Sequence, residues 1–485
     1  MEKRECVSLS MIIEQIYTGC LAQGAYYIES EGEAALIDPL REITPYLQRA
    51  KKNGARICYV FETHFHADFV SGHVDLAKQA GARIIYGPLA ETAFDAHIAY
   101  DGEIFQLGKL KIKALHTPGH TMESTCYLLS DENGRDIAIF TGDTLFIGDV
   151  GRPDLAQKEK NGLTKEKLAG LLYHSLRDKI LPLANDIIVY PAHGAGSACG
   201  KNMSKETSDT LGHQKSSNYA LQPISEVDFI TQLTEGLLPP PAYFPENVHM
   251  NKEGYEPINQ VLNRGLHGLG ADEFEQAANA TGALIIDTRQ AKLFAQGFIP
   301  NAINIGIDGS FAPWVGALIT DIRQPILIIA PEGREEEVIT RLARVGYDYT
   351  IGFLKGGFQT WADAGKETNH IPSISPQQLA EALKDDPQLQ IVDVRKPDEY
   401  EAAHVRQAVN VPLEDINILS SQIDPDRPAF IHCAGGYRSM VFTSILRARG
   451  FSHIQDISGG FQAIHLSGIF NIKSSGSKIA ENQIP

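Results

Sequence analysis

Three side chains of the kinds that bind metal ions lie close together in the first part of the chain. His64, His66 and Asp68 fall within five residues of one another and directly follow the apolar run 57–61. A short apolar run predicts a buried strand, so the three side chains are expected on a strand-to-helix turn. Imidazole and carboxylate groups that converge there form the donor set of a divalent metal ion.

Further ligand candidates follow in separate segments, each at a predicted strand end or turn. They are His120 after Thr117-Pro118-Gly119, Asp143 after the run 137–140, and His193 after the run 187–190. Functional residues of α/β folds collect at such positions. One histidine of this kind is more often structural, but four segments in this order predict a single metal site. We interpret the histidines that match no motif position as surface or packing residues: His73, His97, His116, His174 and His213.

A second reactive centre is predicted between a strand over 429–432 and a helix over 439–449 that Gly450 closes. The connecting loop is Cys433-Ala434-Gly435-Gly436-Tyr437-Arg438. Its two glycines let backbone N–H groups point inward, and the helix N-terminus adds partial positive charge, so the loop can hold an anionic sulfur. A lone cysteine after a strand is usually a buried apolar residue. The glycines and Arg438 instead favour Cys433 as a nucleophile.

The region around this loop is the second copy of a tandem repeat. The recurring motifs are Asp287-Thr288-Arg289 as Asp393-Val394-Arg395 and Ala302-Ile303-Asn304 as Ala408-Val409-Asn410, both at an offset of 106, and Gly356-Gly357-Phe358-Gln359 as Gly459-Gly460-Phe461-Gln462 at an offset of 103. Each copy alternates apolar runs, such as 284–286 and 326–329, with helical patterns. This pattern predicts a largely parallel sheet covered by helices.

The first copy lacks the nucleophile, because no cysteine occurs between Cys199 and Cys433. Ala330 takes the position of the nucleophile and Glu335 that of the loop arginine. Carboxylates at 335–337 would occupy the first helical turn, where they repel an incoming anion. We therefore predict that the first copy is catalytically silent and has a structural role, namely spacing, docking or dimerisation.

The elements that position these residues divide into three domains. Residues 11–200 alternate β-rich runs, at 34–38 and 57–62, with helical patterns such as 74–80. A proline cluster at 239–241 and a polar stretch at 247–254 mark the end of the metal domain. We predict a metal domain over 11–245, a silent domain over 255–368, a catalytic domain over 372–471 and a loose tail over 472–485.

Composition excludes several classes of partner. The chain has 485 residues, 43% of them hydrophobic, and a formal net charge of −17 without a basic run, so nucleic acid is excluded. The N-terminus, Met1 to Glu5, begins no secretion or transit signal, and no apolar stretch could span a membrane. Six cysteines without paired spacing indicate a reducing compartment, and we predict a cytoplasmic protein.

The four metal-binding segments resemble those of the metallo-β-lactamase superfamily. This resemblance implies an αββα sandwich with the metal in a cleft between two sheets. Hydrolases of the superfamily use the turn pattern HxHxDH, whose last histidine helps to hold a second metal, but Phe69 stands here. We therefore expect one metal. Two histidines and Asp143 would suit non-haem Fe(II) and dioxygen, although spacing alone does not say which two histidines.

A closer resemblance indicates which two histidines bind the metal together with Asp143. Thr117-Pro118-Gly119-His120-Thr121, Thr141-Gly142-Asp143-Thr144-Leu145 and Gly151-Arg152-Pro153-Asp154 are similar to motifs of the persulfide dioxygenase branch. The resemblance implies that His64, His120 and Asp143 bind one Fe(II) per chain. It also implies that His66, Asp68 and His193 orient these ligands and bound water. Arg152 is a candidate contact for an anionic substrate group; a surface arginine is the alternative.

The loop around Cys433 closely resembles that of a rhodanese. Four residues separate Cys433 from Arg438, whereas phosphatases of the related fold carry five, so the shorter ring fits sulfur rather than phosphate. Residues 434–437 would then bind the sulfur. The resemblance implies a nucleophilic Cys433 that carries sulfane sulfur.

The whole chain resembles bacterial fusions of a persulfide dioxygenase with one degenerate and one intact rhodanese domain. The resemblance implies an α/β multidomain protein that oxidises a low-molecular-weight thiol persulfide with O2 to thiol and sulfite. Transfer of sulfur through Cys433 would then give thiosulfate. Which thiol carries the persulfide sulfur, whether glutathione, coenzyme A or another, stays open, and we expect a homo-oligomer. One alternative is a zinc thioesterase of the glyoxalase II type, disfavoured by the 46 residues from His193 to Pro239. Another is a non-catalytic sulfur relay.

Overall fold

The structure is a computed structural model that describes residues 11–157, 162–237 and 239–474. Predictions for residues 1–5 and 475–485 concern residues outside these ranges. The chain divides into two units. The first extends to Ile258 and includes Ala343–Gly346; the second comprises Asn259–Leu342 and the chain from Tyr347 onward.

The first sheet of the first unit has six strands in the order of the chain. They are β1 (Ile12–Thr18), β2 (Gln23–Ser30), β3 (Glu33–Ile37), β4 (Arg56–Phe61), β5 (Arg83–Tyr86) and β6 (His97–Ile98). The first three strands are antiparallel and β3 to β6 are parallel. Two of the parallel connections are helical, with α1 (Thr44–Asn53) before β4 and α2 (His73–Ala80) before β5.

The second sheet has the order β12-β11-β10-β9-β8-β7. Its strands are β7 (Ile104–Leu107), β8 (Leu110–His116), β9 (Thr125–Ser130), β10 (Asp136–Gly142), β11 (Ile188–Pro191) and β12 (Asp209–Thr210). Strands β10 and β11 are parallel, and the other pairs are antiparallel. The remaining helices of this unit are α3 (Lys165–Ser175), α4 (Leu211–Ser217), α5 (Glu226–Thr234) and α6 (Phe244–Glu253). Helix α7 (Ile258–Gly265) begins at the last residue of the first unit and lies otherwise in the second.

The two sheets pack face to face, and helices cover both outer faces. Strand β2 shows the arrangement, because Tyr26 and Ile28 join the core between the sheets. Its alternate residues, Ala25 and Tyr27, pack against α1 and α2. This alternation follows from the two-residue period of a strand. A third core lies between the second sheet and α3 to α5. The predicted αββα sandwich is therefore confirmed.

The end of the first unit differs from the predicted limit at residue 245. Helix α6 crosses that position, and Asn251 of this helix donates hydrogen bonds to the carbonyl oxygens of His66 and Phe69, both at 2.8 Å. A helix bonded to the metal-binding turn belongs with that turn. The polar character of residues 247–254 indicated a linker. In the structure most of them belong to α6, and one of these polar side chains, that of Asn251, binds backbone carbonyl oxygens of the turn.

The second unit contains two five-stranded parallel sheets of identical order. The first is β13-β17-β16-β14-β15 and the second β18-β23-β22-β19-β21. The strands of the first are β13 (Gly268–Leu269), β14 (Leu284–Asp287), β15 (Ile303–Asn304), β16 (Ile326–Ile329) and β17 (Thr350–Leu354). Those of the second are β18 (Ser373–Ile374), β19 (Gln390–Asp393), β21 (Val409–Asn410), β22 (Ala429–His432) and β23 (Ile454–Ile457), with β20 (Ala403–Val405) outside it. The identical orders confirm the tandem repeat.

Helices follow these strands in both copies. In the first copy they are α8 (Ala271–Thr281), α9 (Ala291–Gln296), α10 (Phe311–Leu318), α11 (Glu335–Arg344) and α12 (Gly357–Asp363). In the second they are α13 (Pro376–Asp385), α14 (Pro397–Ala402), α15 (Ile416–Leu419), α16 (Tyr437–Ala448) and α17 (Gly460–Ser467). Within the described part of the chain, no helix combines the length and apolar character needed to cross a membrane.

The described part of the predicted tail, residues 472–474, is not loose. Residues Ile472–Ser474 form β24, which pairs with β20 in an antiparallel two-stranded sheet. Strand pairing satisfies backbone groups that a loose tail would leave to water. The prediction is wrong for these three residues.

Candidate metal centre and sulfur-transfer loop

Three ligand-type side chains converge where the two sheets of the first unit meet their loops. His64 follows β4, His120 lies in the loop after β8, and Asp143 directly follows β10. The Nε2 atoms of His64 and His120 lie 3.8 and 3.4 Å from Oδ2 of Asp143. All three side chains are at most 2% exposed. The structure therefore brings together the three residues predicted as ligands.

Each of these side chains is oriented by a partner on its far side. Nδ1 of His120 donates to the carbonyl oxygen of Arg152 at 2.8 Å, and Nδ1 of His64 lies 3.0 Å from Oγ1 of Thr63. The Nε2 atoms are thereby left for the common centre. Burial lowers the pKa of His64 well below its usual value, so its ring is a neutral donor.

Asp143 supplies the negative charge of the centre. Burial acts to raise its pKa, but the charge and hydrogen bond of His193 outweigh burial and hold the pKa far below the usual range. His193 Nδ1 lies 2.8 Å from Oδ1. Oδ2 is buried without a hydrogen-bond partner among the described residues. A cation held by Oδ2 and the two imidazoles would satisfy this acceptor, so the donor set fits a metal ion.

A glycine allows the loops around the centre to approach one another. A Cβ atom at Gly151 would lie 2.2 Å from the carbonyl oxygen of Asp143 and 2.8 Å from Nδ1 of His120. No larger residue fits there without displacing a ligand. This contact explains why a glycine precedes Arg152 in the motif.

Asp68 and His193 belong to a second group of possible ligand atoms. Nε2 of His193 lies 2.9 Å from Oδ2 of Asp68, and the thiol of Cys199 completes a set of donor atoms within 4.8 Å of one another. Burial raises the pKa of Cys199 well above its usual value. Cys199 was not predicted as a ligand from the sequence. The available signal was its position six residues after His193.

His66 lies next to His64, with ring centroids 4.3 Å apart, but its Nε2 faces away from the three ligands. This atom lies 3.0 Å from Asp38 and 3.5 Å from Glu62. Sequence reasoning missed both acids. Asp38 directly follows β3 and Glu62 directly follows β4, which is the position at which functional residues of α/β folds collect.

Arg152 has a different environment from the one predicted. Its side chain is 6% exposed, and Nε and Nη2 each donate to Asp154 at 2.7 Å. The bidentate pair fixes the guanidinium. Arg152 therefore supports His120 through its backbone carbonyl oxygen. Its guanidinium is buried and paired with Asp154, which matches neither a surface arginine nor the predicted contact for a substrate anion.

The Cys433 loop connects β22 to α16 as the sequence predicted, although the helix begins at Tyr437. The backbone N–H of Gly436 donates to Sγ of Cys433 at 3.1 Å. Gly436 has a φ of 111°, a backbone conformation that favours glycine. One backbone donor of the cradle predicted from the two glycines is therefore in place at this atom.

The recurring motif Gly459-Gly460-Phe461-Gln462 binds the backbone of the Cys433 loop. Phe461 and Gln462 donate backbone hydrogen bonds to the carbonyl oxygens of Cys433 and Ala434, at 2.6 and 3.1 Å. A Cβ atom at Gly460 would lie 2.4 Å from the carbonyl oxygen of Cys433. The glycine is required because the two backbones touch.

Arg438 is bound to a residue that the sequence did not identify. Its Nη1 and Nη2 atoms lie 2.5 and 2.8 Å from the carboxylate of Glu399. The hydrogen bond from Arg438 lowers the pKa of Glu399. Glu399 therefore fixes Arg438 beside the loop, and the recurring Asp393–Arg395 pair has a similar bidentate geometry.

The first copy contacts the Cys433 loop of the second. The hydroxyl of Tyr437 donates to the carbonyl oxygen of Gly306 at 2.9 Å, and Met440 of α16 joins the core of the first copy. In the corresponding loop of the first copy, Ala330 is buried and α11 begins with Glu335. The predicted position of the carboxylates in the first helical turn is confirmed.

Comparisons with known proteins agree with this division of the chain. The family model for the metallo-beta-lactamase superfamily matches residues 18–193, and that for the rhodanese-like domain matches residues 270–364 and 375–467. Human mitochondrial persulfide dioxygenase ETHE1 is 36% identical over 163 residues, which are 33% of this chain and 59% of that protein. The match thus spans less than two thirds of the human protein.

Two other similarities extend the comparison. A probable hydroxyacylglutathione hydrolase of Schizosaccharomyces pombe is 30% identical over 213 residues, 43% of this chain and 78% of that protein. The crystal structure of a metallo-beta-lactamase from Staphylococcus aureus is 30% identical with a TM-score of 0.61. It covers 71% of this chain and 98% of that one.

Proposed function

The chain belongs to the metallo-β-lactamase superfamily and carries two rhodanese-like domains behind its metal domain, and from this premise we propose that it is an Fe(II)-dependent persulfide dioxygenase coupled to a sulfurtransferase. The metal centre would oxidise a low-molecular-weight thiol persulfide with O2. Persulfide, O2 and water would give thiol, sulfite and two protons. Cys433 would combine sulfite with a further sulfane sulfur to form thiosulfate.

The observation that carries this proposal is the donor set of His64, His120 and Asp143, from which His66 is turned away. Two imidazoles and one carboxylate leave several positions of a metal ion open, the arrangement typical of non-haem Fe(II) oxygenases. A zinc hydrolase needs only one open position, for water. The similarity to human persulfide dioxygenase supports the same assignment.

The residues of the metal domain would have distinct roles. His64, His120 and Asp143 would hold one Fe(II), which when bound supplies positions for O2 and for the persulfide sulfur. His193 keeps the pKa of Asp143 low and fixes its free oxygen toward the centre. The carbonyl oxygen of Arg152 fixes the ring of His120. Burial of the three ligands shields the centre from bulk water.

In the second rhodanese-like domain, the Cys433 thiolate would attack the terminal sulfur of a persulfide. The S–S bond of the substrate breaks, the thiol leaves, and Cys433 carries the sulfane sulfur. Sulfite would then attack that outer sulfur, releasing thiosulfate and the Cys433 thiolate. The N–H of Gly436 is placed to stabilise the anionic sulfur in both steps.

The second candidate function is a zinc thioesterase joined to a sulfurtransferase. It is favoured by the group of Asp68, His193 and Cys199, which offers three donors to a second ion. The similarity to the probable hydroxyacylglutathione hydrolase points the same way. The described segment between His193 and Pro239 contains only two helices longer than one turn, α4 and α5, which leaves little chain for a separate substrate domain.

One comparison separates the two functions. Metal-free protein is loaded anaerobically with Fe(II) or with Zn(II), and each form is assayed for oxygen uptake on glutathione persulfide and for hydrolysis of S-lactoylglutathione. We expect oxygen uptake with iron and no thioester hydrolysis with either metal. Hydrolysis by the zinc form, with no oxygen uptake by the iron form, would establish the thioesterase instead.

A further inference from the structure

A buried group of charged residues lies beside the metal centre and is not part of it. We call Asp38 and Glu62 the His66 anchor, because both carboxylates face Nε2 of His66, at 3.0 and 3.5 Å. The two acids and the histidine are at most 1% exposed. Charges buried this deeply are stable only when they are paired, so the three side chains hold one another in place.

Each acid is itself fixed by the surrounding turn. Asp38 accepts hydrogen bonds from the backbone N–H and the hydroxyl of Thr63, both at 2.8 Å. Glu62 accepts a short hydrogen bond from the hydroxyl of Ser71 and lies 3.5 Å from Nδ1 of His73. The anchor is therefore a fixed pair of carboxylates at ion-pair distance from Nε2 of His66.

The ring of His66 is also held from its other sides. It stacks on Phe69, with ring centroids 4.3 Å apart and an interplanar angle of 28°. Asn251 binds the carbonyl oxygens of both His66 and Phe69. Phe69, fully buried, thus packs the ring that faces the anchor, in addition to occupying the place of a superfamily ligand.

The position of His66 matters because it determines which donors reach the ion. Its ring is as near to His64 as a third imidazole ligand would need to be, with centroids 4.3 Å apart, yet its Nε2 lies among carboxylates. With His66 added, the centre would offer three imidazoles, the set typical of a catalytic zinc site. With His66 withheld, it offers two imidazoles and Asp143, the set typical of Fe(II).

We propose that the His66 anchor is a specificity-determining device: Glu62 and Asp38 keep His66 out of the coordination sphere and thereby bias the centre toward iron and away from zinc. Glu62 is the residue to test, because Asp38 also supports Thr63 next to the ligand His64. This inference rests on the proposed function only for the identity of the native ion. The geometry it describes concerns His66 whatever ion is bound.

The experiment is a competition between metals. Metal-free wild type and Glu62→Gln are incubated anaerobically with equal Fe(II) and Zn(II), and bound metals are measured by mass spectrometry. Loss of a residue that orients a metal centre typically changes affinity 10- to 100-fold, so we expect the bound zinc-to-iron ratio to rise roughly tenfold. Glu123→Gln is the matched control, because that carboxylate accepts the N–H of Phe65 at 3.2 Å but is not part of the anchor.

A second substitution shows whether the effect passes through His66. In Glu62→Gln combined with His66→Asn, the ratio should return to that of His66→Asn alone, since the released imidazole is gone. A rise that persists in the double variant would overturn the proposal. So would an unchanged ratio in a Glu62→Gln protein whose circular dichroism matches wild type.

The visible absorption spectra of Co(II)-loaded protein test whether His66 is a ligand, and this test does not require a folded Glu62→Gln variant. If the anchor withholds His66, Co(II)-loaded His66→Asn should have the visible absorption spectrum of Co(II)-loaded wild type. A clear change in band positions would mean that His66 is a ligand in the wild type and would overturn the proposal. Failure of iron-loaded wild type to consume oxygen would refute the proposed function alone, because the metal ratios and cobalt spectra report ligation and not turnover.

Discussion

Replacing Gly309 with alanine tests whether the first rhodanese-like domain supports the sulfur-transfer loop of the second. A Cβ atom at Gly309 would lie 2.3 Å from the ring of Tyr437 and 2.9 Å from its hydroxyl oxygen. Carbon atoms in contact are normally about 3.5–4.0 Å apart, so the ring or the backbone must move by roughly 1 Å. Such overpacking costs about 1–3 kcal/mol. Gly309 is not among the residues of positive φ, so alanine itself is compatible with the backbone.

The displacement would act on catalysis through the loop. Tyr437 follows Gly436, whose N–H donates to Sγ of Cys433 at 3.1 Å. A misplacement of about 1 Å in a catalytic arrangement can reduce a rate by roughly 100-fold. Because the loop can absorb part of the shift, we expect kcat/KM for thiosulfate sulfurtransfer to fall roughly 10- to 100-fold. Oxygen uptake on persulfide should not change, because that centre lies in another domain.

The assay is sulfurtransfer from thiosulfate to cyanide, with oxygen uptake as the internal measure of intact protein. Gly270→Ala is the control, since the same change there meets no atom closer than 3.6 Å. In a Tyr437→Ala background, Gly309→Ala should cause no further loss. Wild-type sulfurtransfer in Gly309→Ala, or an equal loss in the control, would refute a supporting role for the first domain.

Three further predictions concern single side chains. Cys433→Ser should abolish thiosulfate sulfurtransfer and leave oxygen uptake intact, because its thiol carries the sulfur; persisting transfer would identify another cysteine as the carrier. Phe69→His should bind more than the single zinc equivalent expected of wild type, because the added imidazole would join Asp68 and His193; a folded variant with one equivalent would contradict this. Burial raises the pKa of Asp456 from 3.8 to about 6, so the folded state binds this proton more tightly than the unfolded state. The associated stability is complete below the unfolded value and is lost as pH rises through the folded value. Asp456→Asn should not lose the roughly 3 kcal/mol of unfolding free energy that wild type loses as Asp456 ionises. The difference in unfolding free energy between the variant and wild type should therefore grow from about pH 4 to pH 7 and then level off. A difference independent of pH would contradict the raised pKa of Asp456.

The sequence predicted those features that depend on local pattern. Strand β16 coincides with the apolar run 326–329, and β22 coincides with the predicted strand 429–432, because a largely apolar run is typical of a strand buried on both faces. The start of α16 was placed two residues late, since a helix over 439–449 was predicted and Tyr437 begins it. The hydroxyl of Tyr437 donates a hydrogen bond to Gly306, in a loop remote in the sequence. No local sequence pattern indicates such a contact.

The predicted ligand residues converge, but their orientation could not be obtained from the sequence. The direction of the His66 ring depends on Asp38, 28 residues away, and on Glu62. Arg152 supports His120 through its backbone, which side-chain chemistry does not indicate. Cys199 joins His193 only because the chain after β11 turns back toward the centre. Such contacts between remote segments are properties of the fold.

The stoichiometry of oxygen consumption tests the central claim most directly. Fe(II)-loaded Cys433→Ser is supplied with glutathione persulfide, and oxygen uptake, sulfite and thiol are measured together, since this variant cannot convert sulfite to thiosulfate. We expect one sulfite and one thiol for each O2 consumed. We also expect Asp143→Ala, in the same background, to lose both metal and oxygen uptake. Thiol release without consumption of O2, or full oxygen uptake after loss of Asp143, would contradict the central claim.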